Sequence, residues 1–278
     1  MMNPKKSIGI TLSGGGARGL AHIGVLKVLA REGVEVAALS GASMGGIIAA
    51  LYANGMTPDE LEDEALRMSN MRNLLTLIDI KPPRRGLIAG DRVRSYLSRY
   101  IPPDLTFDQL NIPLVLEAVD PEAGQERPIE EGSVLDALMA TSAFPGVFPA
   151  VTIDGMKLID GGVLYNLPVH LLDRFSVDSR LAVDVSPDLG SDTPLRPPAE
   201  LSFVPEFARD LYHATQLMAV ALTHAHLREQ PPDLLLRPQL APDIGFFISF
   251  TQADRIIATG EEAGENAIEE IRSLAGMV

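Results

Sequence analysis

The chain has 278 residues, 46% of them apolar and 22% charged, with no cysteine and a net charge of −14. This is room for one large α/β domain with a sizeable core. The acidic balance argues against a nucleic-acid partner and against strong electrostatic binding to anionic membranes, and the lack of cysteine removes disulfides, thiolate catalysis and zinc–thiolate sites.

Lys5-Lys6 precedes an apolar run that breaks at Ser13-Gly14-Gly15-Gly16, too early for a secretory h-region. The uncharged stretch 36–56 is long enough to span a bilayer. Its inner Ser-Gly-Ala-Ser-Met-Gly-Gly segment reads instead as a buried strand, turn and helix. The expectation is a cytoplasmic protein without signal peptide or transmembrane helix, any membrane contact being peripheral.

Residues 7–12 read as a first buried strand running into Gly14-Gly15-Gly16-Ala17-Arg18-Gly19. An amphipathic helix with Leu20, Ile23, Leu26, Val28 and Leu29 on its apolar face follows and stops at Gly33. Residues 34–39 form a second strand, and Gly41-Ala42-Ser43-Met44-Gly45 then carries a Gly-x-Ser-x-Gly pattern before an apolar helix over 46–54. Strand, sharp turn and helix are the context a nucleophile elbow requires. The glycine loop fits a dinucleotide fingerprint by spacing, but the next strand ends in Ser40-Gly41-Ala42-Ser43, with no ribose-binding carboxylate. No Gly-Lys-Ser/Thr follows, which disfavours a phosphate loop. An oxyanion hole is the reading that uses both motifs, since glycine N–H groups beside Ser43 would face a developing alkoxide.

Thr57-Pro58-Asp59-Glu60 is a helix start. Lys81-Pro82-Pro83-Arg84-Arg85-Gly86 is a basic connector that would also suit lipid headgroups. A helix is expected over 91–100, a buried strand over 112–119 and a helix over 133–140. Residues 141–149, rich in small and aromatic side chains, read as core or as the wall of an acyl pocket. Residues 151–160 form a hairpin about Asp154-Gly155, whose second strand ends in Asp160-Gly161-Gly162. Asp160 is a candidate catalytic base there, or a turn residue bonding its own backbone. A strand over 180–185, a long helix over 201–229, a short strand over 234–236 and a closing helix over 251–274 complete the chain.

A serine nucleophile needs a proton acceptor. His22 lies in the first helix, and His213, His224 and His226 lie in the long helix rather than on a loop after a strand. None of the five histidines, His170 included, takes the usual triad position. That leaves Asp160, a weak base at its ordinary pKa and a better one when desolvated.

Gly14-Gly15-Gly16-Ala17-Arg18-Gly19, Gly41-Ala42-Ser43-Met44-Gly45, Ala140-Thr141-Ser142-Ala143-Phe144-Pro145, Asp160-Gly161-Gly162 and Asn166-Leu167-Pro168, in this order, resemble the patatin-like phospholipase family. The resemblance is strong over about 7–190 and weaker over the C-terminal helices at about 200–275. It implies a three-layer α/β/α fold with a mostly parallel central sheet, in one acyl hydrolase domain over 5–278. It also implies a Ser43–Asp160 dyad and an oxyanion and substrate-binding set of Gly14, Gly15, Gly16 and Met44. Arg18 matches the family's basic position, to hold the loop or meet a phosphate. The reading is an acyl hydrolase of phospholipid or lysophospholipid esters, needing no cofactor and no metal, the acids being scattered without a ligand cluster. A non-lipid esterase, a thioesterase and a regulatory protein on the same fold are the alternatives. Phe144, Phe148 and the run 246–250 are candidates for core or for an acyl groove.

Overall fold

The computed structural model describes residues 6–79, 88–187, 206–246 and 249–277. The basic connector at 81–86 and the first residues of the expected long helix, 201–205, lie outside these. In chain order the strands and helices are β1 (Ile8–Leu12), α1 (Ala21–Arg31), β2 (Val36–Gly41), α2 (Ser43–Ala53), α3 (Pro58–Met68), α4 (Met71–Thr76) and α5 (Asp91–Leu97). Then come β3 (Leu114–Leu116), β4 (Ala118–Asp120), β5 (Gln125–Glu126), α6 (Val134–Thr141), β6 (Val151–Ile153) and β7 (Met156–Asp160). The chain continues through β8 (Ser179–Val183), α7 (Glu206–Glu229), β9 (Leu234–Leu236), α8 (Ala253–Asn266) and α9 (Ile268–Leu274).

The central sheet has the order β3-β2-β1-β8-β9, and every pairing in it is parallel. Alternation along the strands separates two faces. Ile8, Ile10 and Leu12 of β1 join Leu181 and Val183 of β8 in the main core, together with α1, α2 and α8. Ala182 points the other way, to a smaller cluster with Leu167, Val169, Leu227 of α7 and Leu235. The sheet is thus flanked by helices, as the α/β expectation requires. On the α1 face the backbones of α1 and α8 nearly touch: a methyl at Gly24 or Gly260 would enter the facing backbone, against Ile257 and Ala21 respectively. Glycine at both positions is a packing requirement, and it ties the C-terminal helices to the first crossover.

Local signals account for most boundaries. Thr57 and Glu60 form a reciprocal capping box at α3 with Pro58 in the first turn. Asp154 and Gly155 both have positive φ, 50° and 80°, the two-residue turn that matches strand twist between β6 and β7. Two expectations are corrected. The strand expected over 112–119 is two strands, because the chain leaves the parallel sheet at Glu117 and enters a second, antiparallel sheet of order β5-β4-β7-β6. The closing helix is broken at Ala267 into α8 and α9.

Registers set where the site lies. Leu12 pairs with Gly41 and with Val183, and Gly41 pairs with Leu116. The carboxyl ends of four adjacent strands therefore finish level, and their loops share one end of the sheet, the usual ligand-binding edge of an open parallel sheet.

Candidate active site

Ser43 occupies the tightest turn in this group of loops. Its φ is 50°, one of two positive values at non-glycine residues among those described. A left-handed serine is strained by about 1–2 kcal/mol, which the surrounding structure must hold in place. Two features do so. The Ser43 N–H donates to Thr141 Oγ1 at 3.0 Å, and that hydroxyl donates in turn to the Glu117 carbonyl. Gly45 also lets the start of α2 lie against the Leu12 and Ser13 carbonyls, where any side chain would collide.

Asp160 arrives from the second sheet. Ala118 of β4 pairs with Asp160 of β7, and the Asp160 N–H donates to the Ala143 carbonyl at 3.1 Å. The carboxylate is 1% exposed. It accepts the Gly162 N–H at 2.7 Å, and the Ser43 side chain lies beside it. Burial pushes the carboxyl up to about 7, the neighbouring Ser43 and the Gly162 N–H only partly opposing the loss of solvent. Asp160 thus caps its own turn, the turn reading of its sequence, with Ser43 close by.

The glycine loop lies alongside. A methyl on Gly14 would come 3.1 Å from Ser43 Cβ. The Gly14 N–H, however, donates to the Asn166 carbonyl at 3.0 Å, so Gly14 is not an open donor and its contribution is close approach. No acceptor meets the N–H of Gly15, Gly16 or Met44 among the described residues. Gly16 has φ 53° and packs on the Phe246 carbonyl, a position closed to other residues.

Arg18 is turned into the interior. It is 7% exposed, and its guanidinium donates from Nε to the Val185 carbonyl at 2.7 Å and from Nη1 to the Ile244 carbonyl at 3.1 Å. It fastens the glycine loop to the loops after β8 and β9. Asn166 fastens the same loop to the Asp-Gly-Gly turn, donating to the Gly14 carbonyl at 3.3 Å and to Ser186 Oγ at 3.1 Å.

His22, His170 and His226 are engaged with other partners. His22 is fully buried, donates from Nε2 to the Ser13 carbonyl at 2.8 Å, and is held neutral by burial with a pKa of about 4. His170 bonds Glu126 at 2.7 Å and packs on Tyr165, whose ring also stacks on His226. Phe144 and Phe148 are half-buried.

Thr141 and Glu117 also support the elbow. Thr141 lies in the 140–145 segment, where a hydroxyl at a helix end signals its part; Glu117, one acid in a strand, carries no such signal. The expectation of scattered acids is also corrected. Glu117, Glu126 and His170 place one potential ligand atom each within 4.8 Å of one another. Burial first, and then the nearby Glu126, push the Glu117 carboxyl up to about 9.

A parallel sheet flanked by helices, with a serine on a left-handed turn and a buried carboxylate at the carboxyl ends of its strands, makes this an α/β protein of open parallel-sheet type. Residues 10–173 match the patatin-like phospholipase family, and the chain belongs to that family. An uncharacterized NTE family protein of Mycobacterium tuberculosis is 29% identical over 211 residues, 76% of this chain and 57% of that protein. The chain therefore spans little more than half the length of that relative. Patatin-like phospholipase domain-containing protein 6 of Mus musculus is 31% identical over 183 residues, 64% of this chain and 13% of that protein. Among solved structures, VipD from Legionella pneumophila superposes with a TM-score of 0.55 at 13% identity, covering 97% of this chain and 68% of VipD, a likeness of fold. Among the described residues no helix is long and apolar enough to cross a membrane.

Proposed function

We propose that the chain is a serine acyl hydrolase of lipid esters, working through a Ser43–Asp160 dyad. The observation that carries the reading is Ser43, on a strained turn, beside a buried carboxylate with a pKa of about 7. Membership of the patatin-like phospholipase family supports it and points to a phospholipid or lysophospholipid as substrate.

Ser43 Oγ attacks the ester carbonyl while Asp160 takes its proton, and a carboxylate titrating near 7 is basic enough for this at neutral pH. The negative charge on the former carbonyl oxygen falls to the open N–H groups of Gly15, Gly16 and Met44. Met44 lies in the first turn of α2, where the helix end adds favourable potential. Asp160 returns its proton to the leaving alkoxide, leaving an acyl-serine. Water then enters, gives a proton to Asp160 and attacks the acyl carbon. Collapse of that intermediate, with Asp160 passing its proton to Ser43 Oγ, releases the fatty acid and restores both residues.

The test pairs a fluorophosphonate probe with hydrolysis of p-nitrophenyl esters and of phospholipid vesicles. Wild type should label once and cleave both substrates. Ser43→Ala should lose labelling and at least a thousandfold in kcat. Labelling that persists in Ser43→Ala would sink the nucleophile, whereas cleavage of short esters with none of vesicles would assign a non-lipid esterase. Thioester substrates in the same series separate a thioesterase.

A further inference from the structure

Glu117 is a buried acid to which the proposed reaction gives no task. Its side chain is fully buried, and neither carboxylate oxygen meets a hydrogen-bond donor among the described residues. A carboxyl in a protein interior with neither oxygen bonded is costly even when protonated, and such groups are ordinarily hydrogen-bonded, paired or bound to a metal. The groups nearest to it are themselves potential ligands. Glu126 on β5 and His170, in the 3-10 segment Val169–Arg174, each bring one ligand atom into the same 4.8 Å cluster. Both remain partly open to solvent, with side-chain exposures of 36% and 19%, so an ion has a way in.

We propose that Glu117, Glu126 and His170 form a binding site for one divalent cation of the zinc type. Two carboxylates and an imidazole suit zinc and its first-row neighbours, while calcium and magnesium prefer sets of oxygen alone. Bonds of about 2.0–2.2 Å hold ligand atoms roughly 3–4 Å apart. Small side-chain rotations therefore contract the cluster, and the 2.7 Å bond between His170 Nε2 and Glu126 Oε2 opens slightly as both turn to the ion. His170 must then carry its proton on Nδ1, leaving the Nε2 lone pair for the metal. Tyr165, packed on the imidazole ring, limits its rotation.

The site would brace the elbow from behind. The Glu117 N–H donates to the Gly41 carbonyl at 3.0 Å, the Glu117 carbonyl receives Thr141, and Gly161 packs against both its backbone and its side chain. A cation on Glu117 thus ties β5 and the His170 segment to the point where the chain passes between the two sheets.

The experiment uses the full chain, stripped with chelator and titrated with Zn2+ in a calorimeter, with bound zinc counted after desalting and melting followed with and without metal. One zinc per chain and a rise of several degrees in Tm are expected. Glu117→Gln and His170→Gln should each weaken binding at least tenfold and remove the Tm rise. Their melts without metal report whether they fold, and His170→Gln alters a partly exposed residue should Glu117→Gln fail. No bound zinc in wild type overturns the proposal, as does zinc that binds and stabilises both variants like wild type. Calcium binding as tightly as zinc overturns the assignment of a nitrogen ligand. The readout is independent of Ser43, so its failure leaves the hydrolase reading untouched.

Discussion

Ser43 and the buried Asp160 carboxylate lie side by side although they are carried by two different sheets. Ser43 stands at the end of a parallel strand and Asp160 at the end of an antiparallel one. The link between them is the passage from β3 to β4 at Glu117, which sets β4 beside β7 and so sets Ala118 opposite Asp160. Four consequences can be measured.

Acylation should follow the ionisation of Asp160. Only the carboxylate accepts the serine proton, and its pKa in the fold is about 7. The kcat/KM for a p-nitrophenyl ester should therefore rise through pH 7 and level off above it, with a midpoint within about one unit. A profile flat from pH 5.5 to 8.5 would mean a carboxylate of ordinary pKa and a different base.

Asp160→Asn should lose turnover yet gain stability above neutral pH. A carboxyl whose pKa is raised in the fold binds its proton more tightly there than in the unfolded chain. Its contribution is therefore full below the unfolded value near 4 and is lost as pH rises through about 7. At pH 8 the wild type keeps a buried anion, and the neutral amide spares it a cost on the order of a few kcal/mol. The amide can still accept from Gly162 and donate to Ser43. Calorimetric melts should show a higher Tm for the variant at pH 8 and a smaller gap at pH 5. An equal gap at both would refute the raised pKa.

Thr141→Val should damage the elbow through its backbone. The substitution removes the acceptor of the Ser43 N–H and the donor to the Glu117 carbonyl, with little change in volume. Leaving these groups unmet costs about 1–3 kcal/mol each at most, and the strained serine loses a support. A fall of tenfold or more in the rate of fluorophosphonate labelling is expected, with Thr141→Ser close to wild type. Wild-type labelling by Thr141→Val would show that the turn holds without this bond.

Arg18→Met should destabilise the protein without changing its preference for phosphate-bearing substrates. Its two carbonyl partners lie in the interior, and each loses a charged donor worth about 1.5–3 kcal/mol. The measurement is the ratio of phospholipid to neutral-ester hydrolysis beside a melting curve. A selective loss on phospholipid would instead place Arg18 in headgroup recognition.

Much of the fold can be read locally. The capping box at Thr57, the Asp154-Gly155 turn and the strand–turn–helix at Ser43 depend on a few adjacent residues, and their backbone preferences act within that span. The change of sheet at Glu117 could not be read in this way. Residues 114–120 are a continuous strand-like run, and only pairing with β2 on one side of Glu117 and with β7 on the other divides it.

The candidate site divides along the same line. A serine on a glycine-flanked turn after a strand, and a glycine loop before it, can be read from residue type and spacing along single segments. That Gly14 spends its N–H on Asn166, that Arg18 is buried on carbonyls, that Thr141 holds the Ser43 backbone, and that Glu117, Glu126 and His170 meet are properties of the folded chain. Hydrogen-bond partners and burial depend on which strands lie side by side. That order is set by packing across the whole sheet, and no short stretch of the chain carries it.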